Sequence, residues 1–200
     1  MMRGNSMTTH YIDINVVPDS ETSAPQLLGA LFGRLHQGLV QLRVDDIGVS
    51  FPRYSMNPRG LGSLLRLHGT QSALERLNQI DWLRGIRDHV RMSNISLVPE
   101  SVNHRTVTRK QFKTSVERLR RRRMKRKDES LEQAVKAIPD SMARKPELPY
   151  VHLRSHSTSQ GFHLFVALGP LLDTPVPGVF NAYGFSGEAT IPWFLPFFRV

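Results

Sequence analysis

The order of strand-like segments in the first hundred residues restricts the fold more than any other feature of the sequence. Apolar and polar side chains alternate in YIDINVV (11–17) and in DIGVSFP (46–52), the period of two that is typical of a half-buried strand. SLLRLHG (63–69) and NISLVP (94–99) are two further short, apolar-rich segments. The sequence therefore predicts four strands in this part of the chain.

Two stretches between these strands carry apolar side chains at helical spacing. The first covers 24–42, with Ser23 as a candidate N-cap and Pro25 in the first turn. The second covers 71–90 and could break near Asp81. The resulting order, βαββαβ, is that of the ferredoxin-like split motif.

The pattern changes near residue 102. We expect residues 1–102 to form a ferredoxin-like βαββαβ domain and residues 103–200 to form a smaller α+β domain. The second part contains a polar, strand-like segment, a basic segment, a short amphipathic helix and strand-rich sequence up to the end. The fold class predicted for the whole chain is α+β.

The composition excludes several kinds of protein. Hydrophobic residues make up 40% of the 200, enough for a sizeable core, and the absence of cysteine removes disulfides, thiolate zinc sites and cysteine nucleophiles. No stretch approaches the roughly 20 apolar residues of a membrane span, and the first residues lack the apolar core of a signal peptide. We expect a cytoplasmic protein without a membrane partner or a cofactor, whose chemistry uses His, Ser, Tyr or carboxylate groups, or a group borrowed from its substrate.

A basic segment runs from Arg118 to Lys127, with eight Arg or Lys side chains in ten positions and no acidic one. The whole chain has 27 basic and 17 acidic side chains, so the rest of it is nearly neutral, with 19 against 17. Because the excess charge is local, it can recruit a polyanion.

Capping boxes favour a helix for this segment. Thr114 and Glu117 form one T-x-x-E box, and Ser130 begins a second box that opens the next helix. We predict an arginine-rich helix over 115–127, about 20 Å long and positive on every side. The alternatives are a solvated or disordered basic run and a targeting patch.

Nucleic acid is the natural ligand for such a helix, because Arg side chains contact phosphates and fork onto guanine O6 and N7. An ordinary RNA-recognition motif is disfavoured, since the strand SLLRLHG carries no aromatic side chain for base stacking.

Three further short segments are unusual: LFGRLHQGLV (31–40), LRSHSTSQGFHLF (153–165) and NAYGFSGE (181–188). The residues themselves also allow ordinary structural roles. His36 could be a boundary histidine with a satisfied ring, the serines and threonine could cap a turn, and Tyr183 could lie at the edge of the core.

The segments LFGRLHQ, IGVSFP, ERLRRR, RSHST, YGFS and PWF, taken in this order, are similar to those of the CRISPR-associated endoribonucleases of the type I-F (Csy) subtype. The resemblance spans roughly Met7 to Phe194. It implies an enzyme that binds the hairpin of CRISPR repeat RNA and cleaves at its 3′ base without a metal, by attack of the RNA 2′-OH. The products would be a 2′,3′-cyclic phosphate and a 5′-hydroxyl, and the mature guide RNA would stay bound among the other subunits of a type I-F surveillance complex.

The resemblance also implies a role for each matched residue. His36 corresponds to the general base, and Ser155 corresponds to the serine that orients the attacking ribose hydroxyl, with Ser157 and Tyr183 in support. Phe162 corresponds to an aromatic residue that stacks on the terminal base pair. The residues implied in RNA contacts along the stem are Arg109 and Gln111 at base edges, Arg122 at a guanine in the major groove, and Arg118, Arg121, Lys125 and Arg126 at phosphates.

Two departures and two other interpretations remain at this point. Lys125 stands where the family has arginine, and His156 stands between the two serines as a rival base. A non-catalytic hairpin-binding subunit of a CRISPR ribonucleoprotein is the main alternative function. A DNA-binding or ribosomal protein that uses the basic helix is the third.

Overall fold

The computed structural model describes four stretches of the chain: 8–112, 116–140, 147–154 and 160–196. The chain divides into two compact units, a larger one that combines Met1–Lys110 with Leu148–Val200 and a smaller one, Gln111–Glu147. Helices and strands are mixed, which is compatible with the predicted α+β class. The predicted boundary after residue 102 falls inside the larger unit and stays a prediction about how that unit is subdivided.

The helices and strands follow one another in a simple order, with a 3-10 turn Arg87–His89 between α2 and β6. They are β1 His10–Val16, α1 Ala24–Leu42, β2 Gly48–Ser50, β3 Ser55–Met56, β4 Arg59–Gly60, β5 Leu64–Gly69, α2 Gln71–Asn78, β6 Val90–Met92, β7 Ser96–Leu97, β8 Asn103–Arg105, β9 Val107–Lys110, α3 Val116–Lys127, α4 Leu131–Ala137, β10 Tyr150–Arg154, β11 Gly161–Leu168 and β12 Ile191–Trp193.

The main sheet of the larger unit has the strand order β2-β5-β1-β6. Strand β6 pairs with the end of β1, and β7 pairs with the beginning of β1, at His10 and Tyr11. All of these pairs are antiparallel. Helix α1 connects β1 to β2, and α2 connects β5 to β6. The order from β1 to α2 agrees with the predicted one except for the added β3-β4 hairpin; the strand predicted over 94–99 corresponds to the short β7, and β6 was not predicted.

The helix predicted over 71–90, with a possible break near Asp81, ends at Asn78, and its predicted continuation to residue 90 is wrong. Turns follow, Gly85 adopts a positive φ of 79°, and Val90 opens strand β6. Trp82, Leu83 and Ile86 are nevertheless buried. The apolar spacing thus reflects a turn region that buries its side chains without forming a helix.

The two faces of the main sheet are covered differently. Ile12 and Leu67 are paired on one face, within the apolar core that α1 and α2 join. On the other face Arg66 donates to both carboxylate oxygens of Asp13, at 2.6 and 2.8 Å, and its guanidinium carbon lies 3.8 Å from the ring centre of Phe194. Burial of Arg66 is compensated because the ion pair is bidentate and a ring stacks on it.

A second sheet, with strand order β10-β11-β9, packs its edge strand against α1. The helix can approach closely because it presents glycine at the contact. A Cβ on Gly29 would collide with the carbonyl oxygen of His152, while one on Gly33 would make an ordinary contact of 3.9 Å with Leu153. The two glycines thus have unequal roles in this contact.

The smaller unit is a pair of helices, α3 and α4. The second predicted capping box is confirmed: Ser130 is the N-cap of α4, and Gln133 accepts a hydrogen bond from its backbone N–H at 2.9 Å. Thr114, from the first box, lies outside the described residues. In the described part of the chain, no helix combines the length and the apolar character that crossing a bilayer requires.

Candidate functional site

His36 lies on α1, one turn after the buried Phe32, and is itself half-buried. Its Nδ1 is 2.7 Å from the carbonyl oxygen of Ala182, a residue 146 positions further along the chain. Its ring is stacked on that of Tyr183, with the ring centres 3.9 Å apart and the planes at 4°. Two of the four residues that the resemblance places in catalysis, His36 and Tyr183, are therefore in contact.

The hydrogen bond to Ala182 determines the state of the imidazole. A carbonyl oxygen can only accept, so Nδ1 must carry the proton and donate it. In the neutral ring, Nε2 then keeps its lone pair and can accept a proton from a substrate. This is the tautomer that a general base acting through Nε2 requires.

A tight turn, Asn181 to Gly184, holds both partners of His36. The Gly184 N–H donates to the Asn181 carbonyl at 2.7 Å, and the Asn181 side-chain oxygen accepts from the N–H groups of Tyr183 and Phe185 at 2.8 and 3.3 Å. Gly184 has a φ of 73°, a conformation for which glycine is favoured. Asn and Gly favour a turn here because the Asn side chain accepts hydrogen bonds from nearby backbone N–H groups and Gly adopts a positive φ without steric cost.

The turn is attached to the core on both sides. The Val49 N–H of β2 donates to the Gly184 carbonyl at 3.0 Å, and the Ser186 N–H donates to the Val107 carbonyl of β9 at 3.1 Å. Phe185 is buried and stacks on Phe32, with ring centres 5.6 Å apart. Ala182 and Tyr183 are thereby placed against α1 by strands that come from distant parts of the sequence.

Arg109 and Phe162 extend this row of side chains. The guanidinium carbon of Arg109, on β9, lies 5.8 Å from the ring centre of Tyr183 and also 5.8 Å from that of Phe162, on β11. Arg109 and Phe162 are both half-buried, and Arg109 pairs across the sheet with Val166 of the core. His36, Tyr183, Arg109 and Phe162 form a continuous row that combines a base, a cation and aromatic faces.

The exposed face of α3 carries the five residues of this helix for which RNA contacts were predicted. At 100° per residue they occupy an arc of roughly 140°. All five side chains are exposed: Arg118, Arg121, Arg122, Lys125 and Arg126. We call this set the cationic stripe.

Basic side chains lie on every side of α3, as predicted, but two arginines on the side opposite the cationic stripe are paired within the smaller unit. Arg120 donates from Nε to the Ile138 carbonyl at 2.9 Å and lies 3.0 Å from Asp140. Arg123 makes a two-fold contact with Glu129, at 2.6 and 3.1 Å, which lowers the pKa of that carboxyl. The charge is therefore directed to one face of the helix by pairing on the other.

The other predicted site residues are distributed as follows. Gln111 is exposed and is the first residue of the smaller unit, whereas Arg109 belongs to the larger one. Ser155 and Ser157, as well as the rival base His156, lie outside the described residues. The last described residue before them is Arg154, at the end of β10. It lines a groove with Gly33 and Gln37 of α1.

The groups that contact His36 or place its partners were not all predicted from the sequence. Asn181, the Ala182 carbonyl and Phe32 were not singled out, although the spacing of Asn181 and Gly184 is a turn signal. A local turn can be read from such a spacing. The position of the turn against α1 cannot be predicted in this way, because that contact joins residues far apart in the chain.

Comparison with known proteins identifies the family of the chain. Residues 11–194 match the family described as CRISPR-associated protein (Cas_Csy4). The CRISPR-associated endonuclease Cas6/Csy4 of Pseudomonas aeruginosa (strain UCBPP-PA14) is 46% identical over 185 residues, which cover 92% of this chain and 99% of the relative. The protein of the same name from Escherichia coli (strain UTI89 / UPEC) is 41% identical over 185 residues, which again cover 92% of this chain and 99% of the relative. With its row of His36, Tyr183, Arg109 and Phe162 and its cationic stripe, the chain belongs to the Cas_Csy4 family of CRISPR-associated proteins.

Proposed function

We propose that this protein is an endoribonuclease that binds the hairpin of CRISPR repeat RNA and cleaves at its 3′ base to give mature guide RNA. The observation that carries the proposal is the state of His36: its Nδ1–H is used by the Ala182 carbonyl and its ring is stacked on Tyr183, so Nε2 is available as a base. Two relatives named as CRISPR-associated endonucleases support the same activity.

In the proposed reaction, Nε2 of His36 takes the proton of the ribose 2′-OH at the nucleotide before the cut. The 2′ oxygen forms a bond to the adjacent phosphorus, and the bond from that phosphorus to the 5′ oxygen of the next nucleotide breaks. The leaving oxygen receives a proton, which gives a 5′-hydroxyl, and the other product ends in a 2′,3′-cyclic phosphate. The reaction needs neither a metal nor a protein nucleophile, because the RNA supplies the attacking group.

Ser155 and Ser157 are proposed to orient the 2′-OH and the phosphate, and Tyr183 is proposed to hold the plane of the His36 ring. The described neighbour of Ser155, Arg154, lines a groove with Gln37, the residue after His36, which supports this assignment. A donor near the phosphate stabilises the charge that develops on its oxygens.

Binding of the stem is proposed to rest on the cationic stripe and on Phe162. Arg122 would fork onto a guanine, the other members of the stripe would contact phosphates, and Arg109 with Gln111 would contact base edges. Phe162 would stack on the terminal base pair, since Arg109 supports its ring from one side. Such contacts would keep the product bound.

We further propose that the main sheet with α1 and α2 is a ferredoxin-like domain, in agreement with its strand order. The protein is proposed to act in the cytoplasm, without a cofactor, as one subunit of a type I-F surveillance complex. Its retention of the cleaved hairpin would make it a stable part of that complex.

The test measures single-turnover cleavage of a repeat hairpin. His36→Ala should slow cleavage by about 10²- to 10⁴-fold, as expected for removal of a general base, while hairpin affinity stays nearly unchanged. A deoxyribose at the nucleotide before the cut should abolish cleavage, and EDTA should not affect it.

His156→Ala is the matched comparison for His36→Ala. If it stops cleavage while His36→Ala barely slows it, the base is His156 and the assignment is wrong. If neither the wild type nor any variant cleaves a hairpin that binds tightly, the protein is a non-catalytic hairpin-binding subunit. Duplex DNA that competes as well as RNA would indicate a DNA-binding protein.

A further inference from the structure

The turn Asn181 to Gly184 is built so that its backbone, rather than a side chain, contacts the Nδ1 of His36. The Ala182 carbonyl accepts that hydrogen bond at 2.7 Å, and the next residue, Tyr183, supplies the stacked ring. Both features depend on the conformation of two consecutive residues in the turn. Whatever fixes these two residues therefore controls the orientation and the tautomer of His36.

Asn181 is the side chain that fixes them. Its Oδ1 accepts from the Tyr183 N–H at 2.8 Å and from the Phe185 N–H at 3.3 Å, which restrains the chain on the far side of Ala182. Its own N–H donates to the Phe185 carbonyl at 2.9 Å. Asn and Asp side chains commonly close turns in this way.

We propose that Asn181 is a positioning residue for the cleavage reaction, because its side chain holds the turn that keeps His36 in the Nδ1–H tautomer. This inference rests on the proposed role of His36 as the base. Without a carbonyl at Nδ1, a neutral histidine ring favours the tautomer with the proton on Nε2. That tautomer has no lone pair at the atom that must accept the proton from the 2′-OH.

The experiment measures the ¹⁵N chemical shifts of the His36 ring at a pH where the ring is neutral, together with single-turnover cleavage and hairpin affinity. The wild type should show a protonated Nδ1 and an unprotonated Nε2. Asn181→Ala should populate the Nε2–H tautomer and slow cleavage by roughly 10- to 100-fold, less than loss of the base itself, because the ring remains present but is displaced. Hairpin affinity should not change.

Asn181→Asp is the matched variant, since it keeps the acceptor oxygen at the same place. It should restore the wild-type tautomer and most of the rate. A wild-type ring that carries its proton on Nε2 would overturn the proposal even if Asn181→Ala failed to fold. Equal loss of rate in Asn181→Ala and Asn181→Asp, or an unchanged tautomer in Asn181→Ala, would also overturn it.

These outcomes are separable from those of the proposed function. The ring shifts report on Asn181 whether or not the protein cleaves RNA. Conversely, if His36→Ala keeps the wild-type rate, the assignment of the base fails while the effect of Asn181 on the ring still stands. A purely structural role of Asn181 would lower thermal stability without changing the tautomer.

Discussion

At the scale of the residue, the group that a side chain contacts determines its chemical state, as His36 and Arg123 illustrate. His36 has a tautomer because the Ala182 carbonyl can only accept a hydrogen bond. Arg123 forms an ion pair with Glu129, whereas the preceding residue, Arg122, is exposed in the cationic stripe. Neighbouring residues of the same type in the sequence thus have different roles, and substitutions at them should have different effects.

At Arg122 we expect the substitution to lysine to reduce sequence preference. Lysine keeps the charge but cannot form two parallel hydrogen bonds with guanine, so discrimination between the wild-type and an altered base pair at the stem base should fall by about 1 to 3 kcal/mol. The measurement is the ratio of dissociation constants for the two hairpins. Arg121→Lys, for a proposed phosphate contact, is the control and should leave this ratio nearly unchanged. Equal losses in the two variants would contradict the role of Arg122.

At the scale of the element, helices α1 and α3 arrange their contacts differently. Helix α1 carries Gly29, Gly33 and His36 at positions i, i+4 and i+7, so the glycines at β10 and the histidine at the Ala182 turn lie along one face. Helix α3 uses Arg120 and Arg123 within the smaller unit and directs the cationic stripe outwards. Of these two helices, α3 is therefore the one whose paired side chains and exposed cationic stripe lie on different faces.

For α3, the two faces should differ in their effect on salt dependence. Replacement of Arg118, Arg121 and Arg126 by alanine should weaken binding of every hairpin and flatten the plot of log K against log salt by roughly 2 to 3 in slope, by analogy with duplex DNA. The measurement is hairpin affinity across a salt series.

The control for α3 is Arg123→Ala, which removes a cation from the paired face. It should lower the thermal stability of the protein, since it leaves Glu129 without its two-fold contact, but should change the salt slope much less than the triple variant. If Arg123→Ala flattened the slope by as much as the triple variant does for each arginine removed, the division of the helix into two faces would be wrong.

For α1, the two glycines provide a matched pair. Gly29→Ala forces a methyl group into the His152 carbonyl, so it should destabilise the protein by about 1 to 3 kcal/mol despite the better helix propensity of alanine. Gly33→Ala meets only an ordinary contact with Leu153 and should be neutral or stabilising by up to about 1 kcal/mol. Denaturant unfolding of both variants measures the difference, and similar values for the two would refute the close approach at Gly29.

At the scale of the whole molecule, the core of the larger unit encloses polar groups on one face of its main sheet. His68, on the central strand β5, is fully buried and is 2.8 Å from the hydroxyl of Ser50. Burial, with smaller contributions from Arg66 and His104, holds the pKa of His68 well below the ordinary value of 6.5. Burial also lowers the pKa of His104.

These shifts predict a loss of stability in acid. Because the pKa of His68 is lower in the folded protein than in the unfolded chain, its contribution is fully present above pH 6.5 and is lost as the pH falls below it, by at most about 1.4 kcal/mol per pH unit. His68→Gln should lower stability at pH 8 but reduce the slope between about pH 6.5 and 5. Unfolding free energies across this range measure the slope, and identical slopes in wild type and variant would contradict the prediction.

The sequence by itself determined the properties that depend on neighbouring residues. The mixture of helices and strands, the bounds of α1, the end of α3, the capping of α4 by Ser130 and the local excess of charge all follow from periodicity, turn chemistry and composition within short windows. The order of short motifs was sufficient to indicate the family to which the chain belongs.

The tertiary structure alone decided which distant groups meet. The placement of the Ala182 carbonyl at His36 requires the turn to be attached to β2 and β9, and the commitment of Arg120 requires α4 to end beside α3. Trp82 and Ile86 have helical spacing but lie in turns, because their apolar side chains are buried in the core without a helix. Such contacts depend on how separate elements pack, and packing is a property of pairs of surfaces that no local pattern encodes.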